Sequence, residues 1–150
     1  MLRFKPLSRG VLLLFAASSA HVAVAGETET VEVYKSPSCG CCTLWVDHIK
    51  KSGYNVKVYD TNNVAPFRAR FGVPDSIASC HTAVAGGYVI EGHVPAADIK
   101  RLLREKPKAT GIAVPGMVQG SPGMEQGQGK DPYKTVLFTK DGRSTVFAAH

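Results

Sequence analysis

The chain has 150 residues, 44% of them hydrophobic and 20% charged, with a formal net charge of +6. That length suits one domain with its own core, and the hydrophobic content is too high for a disordered chain. No apolar run approaches the ~20 residues of a spanning helix, which excludes a polytopic membrane protein.

Arg3, Lys5 and Arg9 form a basic start, Val11 to Ala17 a short apolar run, and Ala23-Val24-Ala25 a small-x-small cleavage site. This is the layout of a secretory signal peptide over residues 1–25. It implies export to the periplasm and no membrane attachment after cleavage. Residues 26–150 then carry 15 Lys and Arg against 12 acidic residues, so the charge shrinks to +3. No basic cluster with interleaved aromatics remains, and a nucleic-acid partner is not expected.

Val31 to Tyr34 alternates as a strand does, and Ser36-Pro37-Ser38 breaks it. From Cys41 to Lys51 the pattern is helical, with Leu44, Trp45 and Ile49 on one side and Ser52-Gly53 at its end. Tyr54 to Tyr59 is a second strand. Asn62 or Asn63 can cap a second helix with Val64, Phe67 and Phe71 as its stripe, stopped by Gly72-Val73-Pro74. Thr82 to Ala85 and Tyr88 to Ile90 flank Gly86-Gly87 as a β-hairpin. Pro95 suits the first turn of a third helix that buries Ile99, Leu102 and Leu103. The fold class is α/β, in the β-α-β-α-β-β-α order of a thioredoxin-like domain. Residues 107–133 read as an aperiodic Gly/Pro/Met-rich loop, of the length that is usually functional or disordered. Residues 134–148 read as a C-terminal hairpin around Asp141-Gly142, expected to pack on the domain and pin the loop at both ends.

All four cysteines lie beyond the leader, and Cys39, Cys41 and Cys42 share one helix start. Bridges within so short a loop constrain little of the unfolded chain, so a structural staple is a poor explanation. Cys39 and Cys42 have the C-x-x-C spacing of a redox pair. A helix N-terminus favours their thiolates. Cys41 has no place in a simple dithiol site, but it does help to build a metal site. Soft thiolates select Cu(I), zinc or iron–sulfur clusters. Cys80-His81 precedes the third strand, the segment that faces the C-x-x-C helix start in thioredoxin-like folds. Thioredoxins carry a cis-proline there. Here Ser79, Cys80 and His81 occupy the place, and the nearest proline is Pro74. Cys80 can also be read as a small buried hydrophobe, and His81 as a core or surface histidine.

Met117 and Met124 sit in two Pro-Gly-Met triplets of the long loop. Thioether suits Cu(I) and suits zinc poorly. Hydrophobic anchoring of the loop is the competing explanation. His93, at the entry to the third helix, is a better ligand candidate than His48, although either could be a helix-end or surface histidine. No hydrolase elbow, His-Glu-x-x-His or phosphate loop is present.

Tyr34-Lys35-Ser36-Pro37-Ser38-Cys39-Gly40-Cys41-Cys42 resembles the opening motif of the CopG-like family of exported bacterial copper-resistance proteins. Ser79-Cys80-His81-Thr82-Ala83 and Gly87 to Pro95 resemble it too, as do Pro115-Gly116-Met117 and Gly120 to Glu125. The resemblance spans Val31 to Phe147. It implies a periplasmic thioredoxin-like domain that binds copper through its C-x-C-C cysteines and nearby soft ligands. It also implies a link between copper loading and cysteine redox state.

The expected function is therefore copper binding in resistance or homeostasis. Cys39, Cys41, Cys42 and Cys80 would hold Cu(I), with room for more than one ion because sulfurs bridge. Met117, Met124 and one of His81 or His93 would complete the site, and other periplasmic copper-handling proteins would be partners. One alternative is a thiol–disulfide oxidoreductase with Cys39 attacking and Cys42 resolving. A weaker one is a structural zinc domain.

Overall fold

The computed structural model describes residues 29–127 and 129–150. The expected signal peptide, residues 1–25, lies outside them. Strand β1 is Thr30–Lys35, helix α1 Gly40–Lys51, β2 Asn55–Asp60, and α2 Ala65–Phe71. A 3-10 turn, Asp75–Ile77, precedes β3 (Thr82–Ala85) and β4 (Tyr88–Glu91). Then come α3 (Ala96–Glu105), β5 (Gly111–Ala113), β6 (Lys134–Phe138) and β7 (Ser144–Ala149). The predicted β-α-β-α-β-β-α order is observed, followed by three further strands.

The seven strands form one mixed sheet in the order β2-β1-β3-β4-β5-β6-β7. The pairs β1–β2 and β4–β5 are parallel, and the other four pairs are antiparallel. Strand alternation divides the apolar side chains between two faces. Val31, Val33, Ala83, Ile90 and Ile112 pack with Trp45, Val46 and Ile49 of α1 and Ile99 and Leu102 of α3. Val89, Ala113 and Phe138 face the other way, against Phe71, Val73 and Ile77.

Breakers act close to where the sequence places them. The N-cap of α2 is Val64 rather than the expected Asn62 or Asn63, although the Asn63 side-chain oxygen accepts from the Ala65 amide at 3.0 Å where the helix begins. Gly72 ends α2 in the left-handed conformation, at φ 73°.

One element departs from the sequence reading. Strand β5 lies inside the stretch read as an aperiodic loop. Three residues are too few to show a period, so only pairing with β4 and β6 reveals them. Gly111 fits there because a Cβ would collide with the Val89 carbonyl of the neighbouring strand. The C-terminal hairpin then continues the sheet from β5, so the loop leaves from one strand and returns to the next.

Candidate metal centre

Strand β1 delivers the chain to a tight turn in which the Cys39 amide donates to the Ser36 carbonyl at 3.1 Å. Cys39 is the N-cap of α1 and makes no side-chain cap bond, and no acidic residue occupies the first turn. The helix start thus keeps its partial positive charge for the sulfurs around it. Three residues apart, Cys39 and Cys42 share a helix face, and they are disulfide-bonded. Cys42 is fully buried, while Cys39 and Cys41 are half-buried.

The β3–β4 hairpin supplies the opposite wall. It places Thr82 across from Glu91, so the segments flanking it, Ser79–His81 and Gly92–Val94, meet at one end of the sheet. Cys80 Sγ stands 3.3 Å from Cys42 Sγ, and Cys39 Sγ stands 3.4 Å from Cys41 Sγ. All four sulfurs lie within 4.8 Å of one another. Ligand atoms of Cys80, His81 and His93 form a second group of the same span. Cys80 therefore belongs to both.

His93 is oriented for ligation. Its Nδ1 lies 2.8 Å from the Pro122 carbonyl oxygen. A carbonyl only accepts, so Nδ1 carries the proton and Nε2 keeps its lone pair. That Nε2 is 3.0 Å from Cys80 Sγ. His81 Nδ1 is 3.4 Å from the same sulfur. Both imidazoles are fully enclosed. Burial, then the neighbouring His93, hold the His81 pKa well below its ordinary value, and burial lowers that of His93. Both rings are neutral at pH 7, as metal ligation requires. Burial, then the Cys41 sulfur, push the Cys80 thiol up to about 12. Trp45 closes the back of the site: its ring stands 4.4 Å from that of His81, and its indole N–H donates to the Val94 carbonyl at 2.9 Å.

Sequence reasoning assigned no role to Glu91, which holds this wall together. The carboxylate is fully buried. It accepts from the Ser79 amide at 2.7 Å and the Thr82 hydroxyl at 2.6 Å, and the Arg68 guanidinium stands 3.5 Å away. It thus grips the chain on both sides of Cys80-His81. Burial pushes its carboxyl up to about 7, against the pull of Thr82, Ser79 and Arg68 in the other direction. A lone acid ending the apolar run Tyr88-Val89-Ile90-Glu91 was the available signal. The role of the Pro122 carbonyl had no sequence signal, because any residue has one.

The long loop closes the open side. Gly123, at φ +84°, lies so near α1 that a Cβ would come within 2.7 Å of the Cys41 carbonyl oxygen and the Trp45 amide nitrogen. Its amide donates to Glu125 Oε2 at 2.6 Å. Met117 and Met124 line a cleft of about 410 Å³ with Gly40, Cys41, Gln119 and Gln126. Met117 is 59% exposed, which removes the hydrophobic-anchor explanation for that residue. His48 lies apart from the sulfurs and accepts from the Ala96 amide at 3.1 Å, supporting the start of α3.

A search of curated proteins gives no match. A family model described as a protein of unknown function, DUF411, matches residues 77–124. Two solved structures match far more of the chain. One is described as copper resistance protein CopG, form 2, with 43% identity over 83% of this chain and 99% of that one, at a TM-score of 0.78. The other, form 1 of the same protein, also has 43% identity and covers 83% and 98%, at a TM-score of 0.77. This chain belongs to the CopG family. The fold, a seven-stranded mixed sheet with three helices, is the CopG fold. The DUF411 match contains Cys80, His81, His93, Met117 and Met124, while the C-x-C-C start is covered by the CopG likeness.

Proposed function

We propose that this chain is an exported copper-binding protein that holds Cu(I) in copper resistance or homeostasis. The observation that carries the reading is the grouping of four sulfurs within 4.8 Å, bordered by an imidazole whose free lone pair is aimed at one of them. Thiolate and thioether are soft donors, and Cu(I) is the soft ion they suit. Met117 and Met124 beside Cys41 favour copper over zinc. The neutral His93 is a ready ligand. His81 lies beside the same sulfur and is as fully buried as His93. With Cys80 common to both groups, a sulfur bridge between ions is geometrically natural. The two CopG structures, named for copper resistance, agree with this reading. The basic, apolar and small-residue start of the chain supports export and a periplasmic location.

Binding and thiol state are coupled in this proposal. Reduced, the centre offers four thiolates. Closing Cys39–Cys42 removes two of them and weakens the hold on the ion. Protons compete for the same sulfurs, so affinity falls as pH falls. The test is anaerobic titration of reduced protein with Cu(I) against a competing chelator. The Cys39→Ser/Cys42→Ser double variant is expected to lose at least about 100-fold in affinity, beyond the 10–100-fold typical of outer-shell changes. Equal affinity in parent and variant would place the site elsewhere.

The Cys39–Cys42 disulfide at a helix start also favours a second reading, thiol–disulfide exchange with other exported proteins. Turnover of a model disulfide substrate, unaffected by a copper chelator, would support it.

A further inference from the structure

The end of the sheet away from the sulfurs carries a different chemistry. Ala85 pairs with Tyr88, Val89 with Gly111, Gly111 with Phe138, and Phe138 with Ser144. These registers bring the Gly86-Gly87 turn, residues 106–110 and the Thr139–Arg143 turn to that end. Helix α2 finishes there too, since a Cβ on Gly72 would come within 2.7 Å of the Lys140 side chain. Four exposed cations, Arg70, Lys106, Lys108 and Lys140, stand at this end. None of them is ion-paired with a described residue. Three acids border the region and each is engaged: Asp141 with Arg143, Glu105 with Arg101 and Arg104, and Glu29 with the Gly86 amide.

The cations line clefts with partly apolar walls. Arg70 and Lys140 border one of about 310 Å³, together with Phe71, Val84 and Val89. Lys106 borders another of about 590 Å³, beside Tyr88 and Leu103. The two clefts share Gly87 and Ala109, so they adjoin. Lys108 lines a smaller one of about 180 Å³ with Arg143. Lys106 is also a strained choice. It is the C-cap of α3 at φ 47°, and every other described residue with positive φ is a glycine. Glycine suits that position because a Cβ is crowded in the left-handed region. Strain kept at such a place points to a use for the side chain.

We propose that this end of the sheet is a docking surface for an acidic, partly apolar segment of a partner protein. Carboxylates of the segment meet Arg70, Lys106, Lys108 and Lys140, and its aliphatic side chains lie on the apolar walls between them. Unlike charges of this kind steer encounter and fix orientation, while the apolar lining adds contact area. Clefts suit a protein segment better than a flat anionic membrane. None of the exposed large apolar side chains, Leu44, Val58, Met117 and Val146, lines these clefts to enter lipid. A partner seated here leaves the sulfur centre, at the other end of the sheet, uncovered. The surface shares no residue with that centre, so it is tested apart from copper binding.

The probe is a short fluorescein-labelled peptide of alternating glutamate and valine, titrated with the protein at pH 7 without metal and read by anisotropy. Saturable binding is expected, weakening at least about tenfold between about 50 and 500 mM salt. A peptide with glutamine in place of glutamate is expected not to bind. Arg70→Glu with Lys140→Glu is expected to weaken binding at least about tenfold, since it removes two pairs and adds repulsion. Lys100→Glu with Lys134→Glu makes the same change of charge away from the clefts, and affinity is expected to stay within about twofold. Lys106→Gly relieves the left-handed strain, so it is expected to melt no lower than the parent and yet to bind more weakly. No saturable binding by the parent, or equal losses in the two double variants, would overturn the surface. Binding to phosphatidylglycerol vesicles but not to the peptide would also overturn it, in favour of lipid. Lys106→Gly decides the matter if the Arg70→Glu, Lys140→Glu protein fails to fold: parent-like affinity in it overturns the proposal.

Discussion

The two sides of the sulfur centre are built differently. The sheet side holds Cys42, His81 and His93, all fully buried, with Cys80 half-buried beside them, and it is braced by Glu91, Trp45 and the Pro122 carbonyl. The loop side, Cys39, Cys41, Met117 and Met124, borders solvent and a cleft. A buried polar atom with fixed partners has one geometry, whereas an exposed thioether on a loop has several. The sheet side is therefore suited to setting coordination geometry, and the loop side to letting an ion in and out.

The sharpest way to break this contrast is to remove one ligand from each side. Cys80→Ser is expected to lower Cu(I) affinity at least about 100-fold, since the centre is then one shared sulfur short. Met117→Leu with Met124→Leu is expected to cost about tenfold or less and to speed release, because it changes an exposed rim. Both are read by chelator competition and stopped-flow transfer. Equal losses would show that burial does not rank these ligands.

The brace comes next. Glu91→Ala leaves the Ser79 amide and Thr82 hydroxyl without their acceptor and Arg68 without its counter-charge. It is expected to destabilise the metal-free protein by about 3 kcal/mol in chemical denaturation. A smaller loss is expected from Gly123→Ala, about 2 kcal/mol, from a left-handed alanine and its collision with α1. Because the same residue follows Pro122, that variant should also weaken Cu(I) binding through His93. Unchanged stability would mean the loop is not seated on the helix as described.

The smallest effect concerns His48, which supports the fold away from the sulfurs. Burial lowers its pKa, with Glu125 pulling it up and Lys51 down. The folded value lies below the ordinary 6.5, so the neutral ring's contribution is complete above that pH. It is lost as pH falls through the folded value, when the lone pair facing the Ala96 amide takes a proton. His48→Asn should therefore show a shallower loss of stability below pH 6.5. An unaltered slope in denaturant melts would remove His48 from the pH response.

Much of this was legible in the sequence, for identifiable reasons. Alternation at Val31 to Tyr34, the helical stripe at Trp45 and Ile49, and the Gly-Gly and Asp-Gly turns are local signals, and each element stands where it was expected. The cysteine triplet at a helix start needed only spacing. Strand β5 was not legible, because its three residues become a strand only between two partners. Glu91 looked like the end of an apolar strand, and its role depends on Ser79 and Arg68, which approach it through the fold.

The sequence alone determined that three cysteines would open α1, that Cys80 and His81 would precede a strand, and that two methionines would share one loop. These are matters of period, spacing and breakers, which act over a few residues. The predicted topology already set Cys80 against that helix start; only the tertiary structure decided that its Sγ would stand 3.3 Å from that of Cys42, that His93 would present Nε2 to it, and that Gly123 would seat the loop on α1. Such distances depend on strand order and close packing, and neither is written in any short stretch of chain.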